Sequence, residues 1–454
     1  MRRTKSLLRA RVNGNLALRF TRDDLTSYSG LELLRWFLSR LAFADRLRKH
    51  LAGLDPSGDF GSVELVKLLV ALLVIGASRL RHVAYVASDP LVKRFCGLRD
   101  LPSARTVSRW LSRCTSKVQQ ALLRVNGEII AQSIKYLGLR RLTIDVDGSV
   151  VSTGLTVEWA QRGYNPHDRK APSYYPITAH LAQTTQILRV KNRPGNVHDG
   201  KASLPFLRDL FGQLEETIEP GTILEFRFDG AFFRQDVLSY IESRCEYAMK
   251  VPFYTWIGIK PLIHRQRAWT AITPDLEGFE ADVQVNAWSR KIRLAVFRKR
   301  VAHQSPKNFQ LDLFDPSDGH WEYSAITTNK TIGLRALWDF MCGRGAHEKT
   351  LAELKTGYAF DTIPTRTYAA NSAWQILCVL AHNLVAAFQV ETGAPRRAQN
   401  AKRSPIVALK QILTMRFEVF ARAGIVQAPN GRGTLTLARD AKGPIERLQA
   451  AFGS

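Results

Sequence analysis

The sequence predicts an α/β fold: a mixed sheet flanked by helices, preceded by a helical N-terminal domain and carrying a β-rich insertion before its last functional helix. Three observations predict it. Apolar residues recur at helical spacing through the first 135 residues, switch to alternation at about Arg140, and break into short alternating runs between Pro252 and Thr328.

The helical part comes first. From Arg19 to Leu51 the spacing is that of a helix, with Leu33, Leu34, Phe37, Leu38 and Leu41 on an apolar stripe and Arg35 and Arg40 off it. A second helical stretch runs from Val63 to Leu80. Ser103, after Pro102, is placed to cap a short helix on which Arg105, Arg109 and Arg113 recur every fourth residue. Such a row suits a helix lying along DNA, with the preceding helices completing a helix-turn-helix-like unit. A solvated basic face is the plainer alternative.

The sheet follows. Leu142, Ile144 and Val146 point one way, so Thr143, Asp145 and Asp147 point the other. Residues 175–181 and 187–190 read as two more strands around a turn at Gln183, and 202–214 as an amphipathic helix. Residues 222–228 alternate again, 237–242 are helical, and 247–251 form a short strand. The order β-β-β-α-β-α-β is that of an RNase H-like fold. Next come the short runs 281–285 and 292–297 of the insertion. Leu334, Leu337, Trp338 and Met341 then set a helical stripe that points onward to Arg344, Glu348, Leu351 and Lys355. Residues 373–390 form a strongly apolar core helix, and 396–403 a basic linker before a small C-terminal helical segment. The expected domains are 1–135, helical and DNA-end-binding; 136–252 with 329–392, catalytic; 253–328, the insertion; and 393–454, linker and C-terminal segment.

Charge narrows the class of partner. With 65 Lys and Arg against 40 Asp and Glu among 454 residues, the formal net charge is +25. A polyanion explains this most simply, because each phosphate neutralised releases a condensed counterion; a host rich in Arg is the alternative. The five cysteines form no C-x-x-C pair, which argues against a disulfide framework or zinc ribbon and for a reducing compartment. The N-terminus lacks the apolar run of a signal peptide, and residues 68–77 are about half of what a bilayer needs. A cytoplasmic protein is expected.

Cutting a phosphodiester without a covalent enzyme intermediate calls for two divalent ions, and magnesium takes hard oxygen ligands. Three carboxylates stand at suitable places in this basic chain. Asp147 lies on the first alternating strand before Gly148 and Ser149; Asp229 ends a strand before Gly230; Glu348 lies on the helix after the insertion. Asp145, on the same face as Asp147, is the alternative first ligand.

The motifs around these residues add a resemblance. Arg344, Glu348 and Lys355 are spaced R-(3)-E-(6)-K; Asp145-Val-Asp147-Gly-Ser and Phe228-Asp229-Gly-Ala-Phe surround the aspartates, and Arg193-Pro-Gly-Asn-Val-His198 lies between them. In this order they resemble the bacterial insertion-sequence DDE transposases of the YREK branch, over about Phe20 to Ala387. The family's tyrosine, three positions before the arginine, is Met341 here. The resemblance implies catalysis and metal binding by Asp147, Asp229 and Glu348, with two Mg²⁺ ions that Mn²⁺ replaces. Arg344 and Lys355 would lie on the DNA backbone. The substrate would be double-stranded DNA, both terminal repeats and target site, cut and then joined through a 3′-hydroxyl by a homodimer or larger assembly in a bacterial cytoplasm, at the nucleoid. Trp288 or Trp321 would stack on a flipped base, with a place in the core as the alternative. His198 would contact DNA or orient a ligand, with a structural role as its alternative. Two rivals remain at this point: another RNase H-like nuclease, and a DNA-binding protein without chemistry.

Overall fold

The computed structural model describes residues 5, 16–19, 22–54, 56, 58–154, 156–163, 165, 168, 170–197, 199–301, 321–398, 402–428 and 433–452. The chain is a mixed α/β protein with one large mixed sheet flanked by helices.

A two-residue strand, β1 (Leu25–Thr26), precedes helices α1 (Leu31–Arg40) and α2 (Phe43–Leu51). The long helix expected over 19–51 is therefore shorter and divided, because Ala42 adopts a left-handed backbone (φ 48°) that reverses the chain between the two. Next are α3 (Ser62–Ile75), α4 (Pro90–Cys96), α5 (Ala104–Ser112) and α6 (Ser116–Leu137). Their starts follow local chemistry: Asp89 Oδ1 accepts from the Leu91 and Val92 N–H groups, Ser103 from Thr106, and Thr115 from Val118.

The sheet strands are β2 (Arg141–Gly148), β5 (Ile177–Leu181), β6 (Ile187–Lys191), β7 (Ile223–Phe228) and β8 (Glu246–Lys250), with a small β3–β4 pair (Val151–Ser152 and Ser173–Tyr174) beside them. Helices α7 (Asp199–Thr217) and α8 (Gln235–Glu242) lie between strands in sequence. After α9 (Ile259–Arg265), residues 253–328 add β9 (Thr270–Thr273), β10 (Leu276–Val285), β11 (Arg290–Arg300) and β12 (Trp321–Thr328). The nine strands run β6-β5-β2-β7-β8-β12-β11-β10-β9. β2, β7 and β8 are mutually parallel and every other pairing is antiparallel. The β-rich segment thus continues the sheet from its β8 edge.

Three helices complete this layer: α10 (Leu334–Cys342), α11 (Gly345–Tyr358) and α12 (Tyr368–Glu391). The stripe expected to run unbroken from Leu334 to Lys355 is interrupted at residues 343 and 344. Gly343 passes so close to its neighbours that a Cβ would stand 1.8 Å from the Lys402 carbonyl oxygen and 2.2 Å from Arg227 Nη1. The C-terminal part is α13 (Ile412–Met415), a π-helical turn over 416–420, strands β13 (Gly424–Gln427) and β14 (Thr434–Leu437), and α14 (Lys442–Ala450). Unforeseen from the sequence, β13 pairs with β1, so the chain's two ends meet in a three-stranded sheet.

α12 organises the packing. It is long and apolar enough to cross a membrane, yet its apolar window is wholly buried. Leu377, Leu380, Leu384 and Phe388 share one core with Phe37, Leu69, Leu72 and Leu122 of the N-terminal helices. The helices of the first 135 residues therefore bury their apolar faces against the layer that covers the sheet. The other face of the sheet packs Phe226 and Phe228 on Phe206, Leu210 and Leu238 of α7 and α8.

Two buried asparagines fasten the helices to the sheet. The Asn383 side chain accepts from Ile187 N (2.9 Å) and donates to Ile187 O (2.8 Å) and Asn126 Oδ1 (2.7 Å). Asn126, on α6, donates to the same carbonyl at 3.0 Å. Each buried polar group left unpaired costs about 1–3 kcal/mol. Asn383→Ala, which orphans the Ile187 N–H and Asn126 Oδ1, is expected to lower stability by about 2–4 kcal/mol, read as an earlier urea midpoint at unchanged m-value.

Candidate active site

Parallel pairing of β2 and β7 sets the site. Val146 stands opposite Phe228, so the next residues, Asp147 and Asp229, leave the strands side by side at their C-terminal ends. The N–H of the following glycine steadies each carboxylate, Gly148 on Asp147 (2.9 Å) and Gly230 on Asp229 (2.8 Å). Their side chains are 21% and 43% exposed.

Arg344 joins them. It precedes α11 and is buried, its guanidinium lying 2.7 Å from Asp147 Oδ2 and 3.9 Å from Asp229 Oδ2. Burial opposes its charge, but the fields of Asp147, Asp229, Asp145 and Glu348 outweigh that and raise its pKa above the usual arginine value. Burial also pushes the Asp229 pKa up; Arg344 and Lys250, whose Nζ is 3.9 Å away, overcome this and bring it below the ordinary range. Glu348 sits exposed in the first turn of α11. With Arg344, Lys250 and Lys299 it lines a cleft of about 350 Å³.

Two of the three expected carboxylates, Asp147 and Asp229, thus share the Arg344 guanidinium, and Glu348 lines the same cleft as that arginine. Among the described residues no three His, Cys, Asp or Glu side chains stand close enough together to hold a metal ion. Arg344 faces inward to the aspartates, where an outward contact with DNA was expected. Gly343 and Arg344 keep right-handed helical backbone angles between the two helices, so Arg344 still stands about one turn before Glu348, and its guanidinium is taken up by the aspartates. Lys355 also has an internal partner, its Nζ donating to Val150 O (2.9 Å) and holding the chain beyond β2; burial lowers its pKa.

Beneath the carboxylates lies a polar layer that the sequence reading missed. Asp145, weighed above as a ligand, has no exposed surface and receives two hydrogen bonds from Arg227, Nε to Oδ1 (2.5 Å) and Nη2 to Oδ2 (2.8 Å). Burial would raise its pKa; Arg227, then His180, hold it down at about 2. Both of its oxygens are engaged, so it acts as the partner of a buried cation. His180 stacks on His347 with centroids 4.9 Å apart and planes 3° from parallel. Burial depresses both histidines' pKa values, His347 well below the ordinary value. Neutral His180 then donates from Nδ1 to Asp145 (3.2 Å) while Nε2 accepts from Thr350 Oγ1 (3.1 Å). His347 Nε2 donates to Thr178 Oγ1 (2.9 Å), whose hydroxyl reaches the Asp147 carbonyl (3.3 Å). The imidazoles therefore dock α11 on β2 and β5. The available signal was alternation: Arg227 and His180 sit between apolar neighbours on strands buried on both faces.

The remaining expected residues are dispersed. Arg105, Arg109 and Arg113 are exposed along α5, as the four-residue spacing required. Trp288 is half-buried against Phe233 (centroids 4.6 Å) and Trp256 (5.8 Å), and with them lines an open hollow of about 620 Å³. Trp321 is covered by Arg298, whose Cζ is 4.5 Å from its ring centre. His198 lies outside the described residues.

Comparison with known proteins gives one family. The profile described as transposase DDE domain group 1 matches residues 9–442. Among solved structures, a piggyBac transposase synaptic complex with hairpin DNA is similar, with 11% identity and a TM-score of 0.43, over 86% of this chain and 80% of that one. No curated protein matches in sequence.

Asp145 on β2 and Asp229 after β7 are expected to differ sharply in their response to mutation. Asp145→Asn strands the Arg227 charge in the core, a loss of about 3–5 kcal/mol, whereas Asp229→Asn, half in solvent, costs under about 1 kcal/mol. Because the folded pKa of Asp145 lies near 2, below the ordinary 3.8, its contribution is complete above the higher value and is lost as pH falls through the lower one. Unfolding midpoints of wild type and Asp145→Asn should therefore converge as pH drops from 4 toward 2.

Proposed function

The chain belongs to the transposase DDE domain group 1 family, and from this premise we propose that it cuts the ends of a DNA element and joins them to target DNA at Asp147, Asp229 and Glu348. The observation that carries the reading is the placement of Asp147 and Asp229, side by side at the ends of adjacent parallel strands in a basic protein. The order β6-β5-β2-β7-β8 supports an RNase H-like catalytic core, with residues 253–328 inserted before α10 and widening the sheet. Arg344, Glu348 and Lys355, at the family's R-(3)-E-(6)-K spacing, support the YREK branch of bacterial insertion sequences.

Carboxylate oxygens at strand ends and on an exposed first turn are hard donors, which fit Mg²⁺ or Mn²⁺. Asp147 and Asp229, joined by Glu348, would hold two such ions. Bound there, they would supply the activated water or 3′-hydroxyl and the charge neutralisation that phosphodiester cleavage needs. The chain's own groups do the rest. Arg344 keeps the aspartates ionised and adjacent until it yields the gap between them. Lys250 and Lys299, across the cleft from Glu348, face the phosphates of the bound strand. Trp288, packed on Phe233 a few residues beyond Asp229, is better placed than Trp321 to stack on an unpaired base, since its hollow is open. The arginines of α5 contact duplex ends. Joining two ends requires at least two protomers on DNA, and a bacterial cytoplasm is the natural setting.

Arg344 between the aspartates, with methionine at position 341, favours a second reading: a family member that binds DNA and performs no chemistry. One assay separates the two. With Mg²⁺ and the element's own ends, the wild type should nick and join, while Asp147→Asn, Asp229→Asn and Glu348→Gln each lose roughly 10³-fold or more of the rate and still bind the ends in EDTA. A wild type that binds but never nicks with Mg²⁺ or Mn²⁺ leaves the second reading standing.

A further inference from the structure

The cleft of Glu348 does not end at the carboxylates. It shares Cys342 and Gly345 with a second cleft of about 530 Å³ on the other side of α11, where Lys349 stands. That cleft shares Arg397 and Ser404 with a third, of about 500 Å³, bounded by Arg140, Arg141 and Arg396. Arg141 begins β2 and Asp147 is near its end. The three therefore form one channel from the aspartates, across the first turns of α11, to the opposite end of the sheet, a length of roughly 20 Å at about 3.3 Å per strand residue.

Its cations fall into two groups. Arg141 and Arg403 are held by Glu225, and Arg140 by Glu219. Lys299, Lys349, Arg396 and Arg397 are exposed, and none has an ion-pair partner among the described residues. The last three line the second and third clefts, where Glu353 is the one carboxylate among the described lining residues. Glu353 gives one oxygen to the Ile412 N–H (2.8 Å), so these three cations face a single carboxylate there. Among the described residues no aromatic side chain lines these two clefts, so those residues offer no platform for unpaired bases. Flexible cations without stacking surfaces suit a phosphate backbone.

We propose that the duplex being cut runs onward from its scissile phosphate over the mouths of these clefts, with Lys349, Arg396 and Arg397 reaching its backbone. Continuity with the carboxylate cleft selects the same duplex over a separate one. The inference rests on the reading above, and its test can fail independently of that reading. Cys342 stands exposed on the rim between the first two clefts, while Cys96, Cys114 and Cys378 are buried and Cys245 is half-buried. An aryl azide on Cys342 of the full chain should crosslink a long random-sequence duplex on illumination. The triple variant Lys349→Ala, Arg396→Ala, Arg397→Ala should lose most of that crosslink, and its log K against log salt slope should shrink by roughly two to three for three lost phosphate contacts. The charge-keeping variant Lys349→Arg, Arg396→Lys, Arg397→Lys should restore both. A duplex that binds with the full slope to the alanine variant, or binds the wild type without crosslinking to Cys342, overturns the channel and leaves the transposase reading intact. A wild type that binds no duplex at all overturns both.

Discussion

The site is built on a guanidinium that has no access to water. Arg227 gives Nε and Nη2 to Asp145, and Nη1 to the carbonyl oxygens of Phe340 (2.8 Å) and Lys402 (2.9 Å). One side chain on β7 thereby ties together β2, the end of α10 and the returning C-terminal strap. A buried pair of this kind is weak evidence for net stability, because desolvating two charges offsets much of their attraction. Its effect is geometric: Arg227 and the Lys402 carbonyl approach Gly343 so closely that no side chain fits there, next to Arg344, which reaches Asp147 and Asp229.

Charge is layered with depth around that anchor. Deepest is a satisfied ion pair, then two stacked imidazoles kept neutral by burial, then two partly exposed carboxylates bridged by Arg344. Neutrality in the middle layer matters, since an imidazolium there would compete with any cation the carboxylates are meant to attract. His347 Nδ1 finds no partner in this layer. An orphaned acceptor between two threonine-anchored rings is a weakness that the docking of α11 on the sheet must offset.

Much of this was legible. Alternation placed β2 and β7, and motif spacing put Glu348 on a helix, where it lines one cleft with Arg344, the partner of Asp147 and Asp229. The losses have physical causes. Helical offsets place Arg344 one turn before Glu348 but do not give its partners, Asp147 and Asp229, which lie far upstream in sequence. Local spacing cannot report such long-range pairing. Nor does alternation say which of two acidic residues on one strand face meets solvent; the cation opposite Asp145 decides that. His180 and His347 come from distant segments and become neighbours only when α11 docks. The split at Ala42 needs a left-handed alanine, which no propensity rule favours, and the pairing of β1 with β13 joins segments some 400 residues apart.

The burial of α12 has a consequence for how the chain is made. A 24-residue apolar helix emerging from the ribosome is an attractive target for membrane insertion and for aggregation. Its companions in the core, α1, α3 and α6, are encoded ahead of it, so a ready-made apolar surface awaits it as it emerges. Reversing that order, by circular permutation that starts the chain at α12, would leave the same native contacts but expose the helix for most of synthesis.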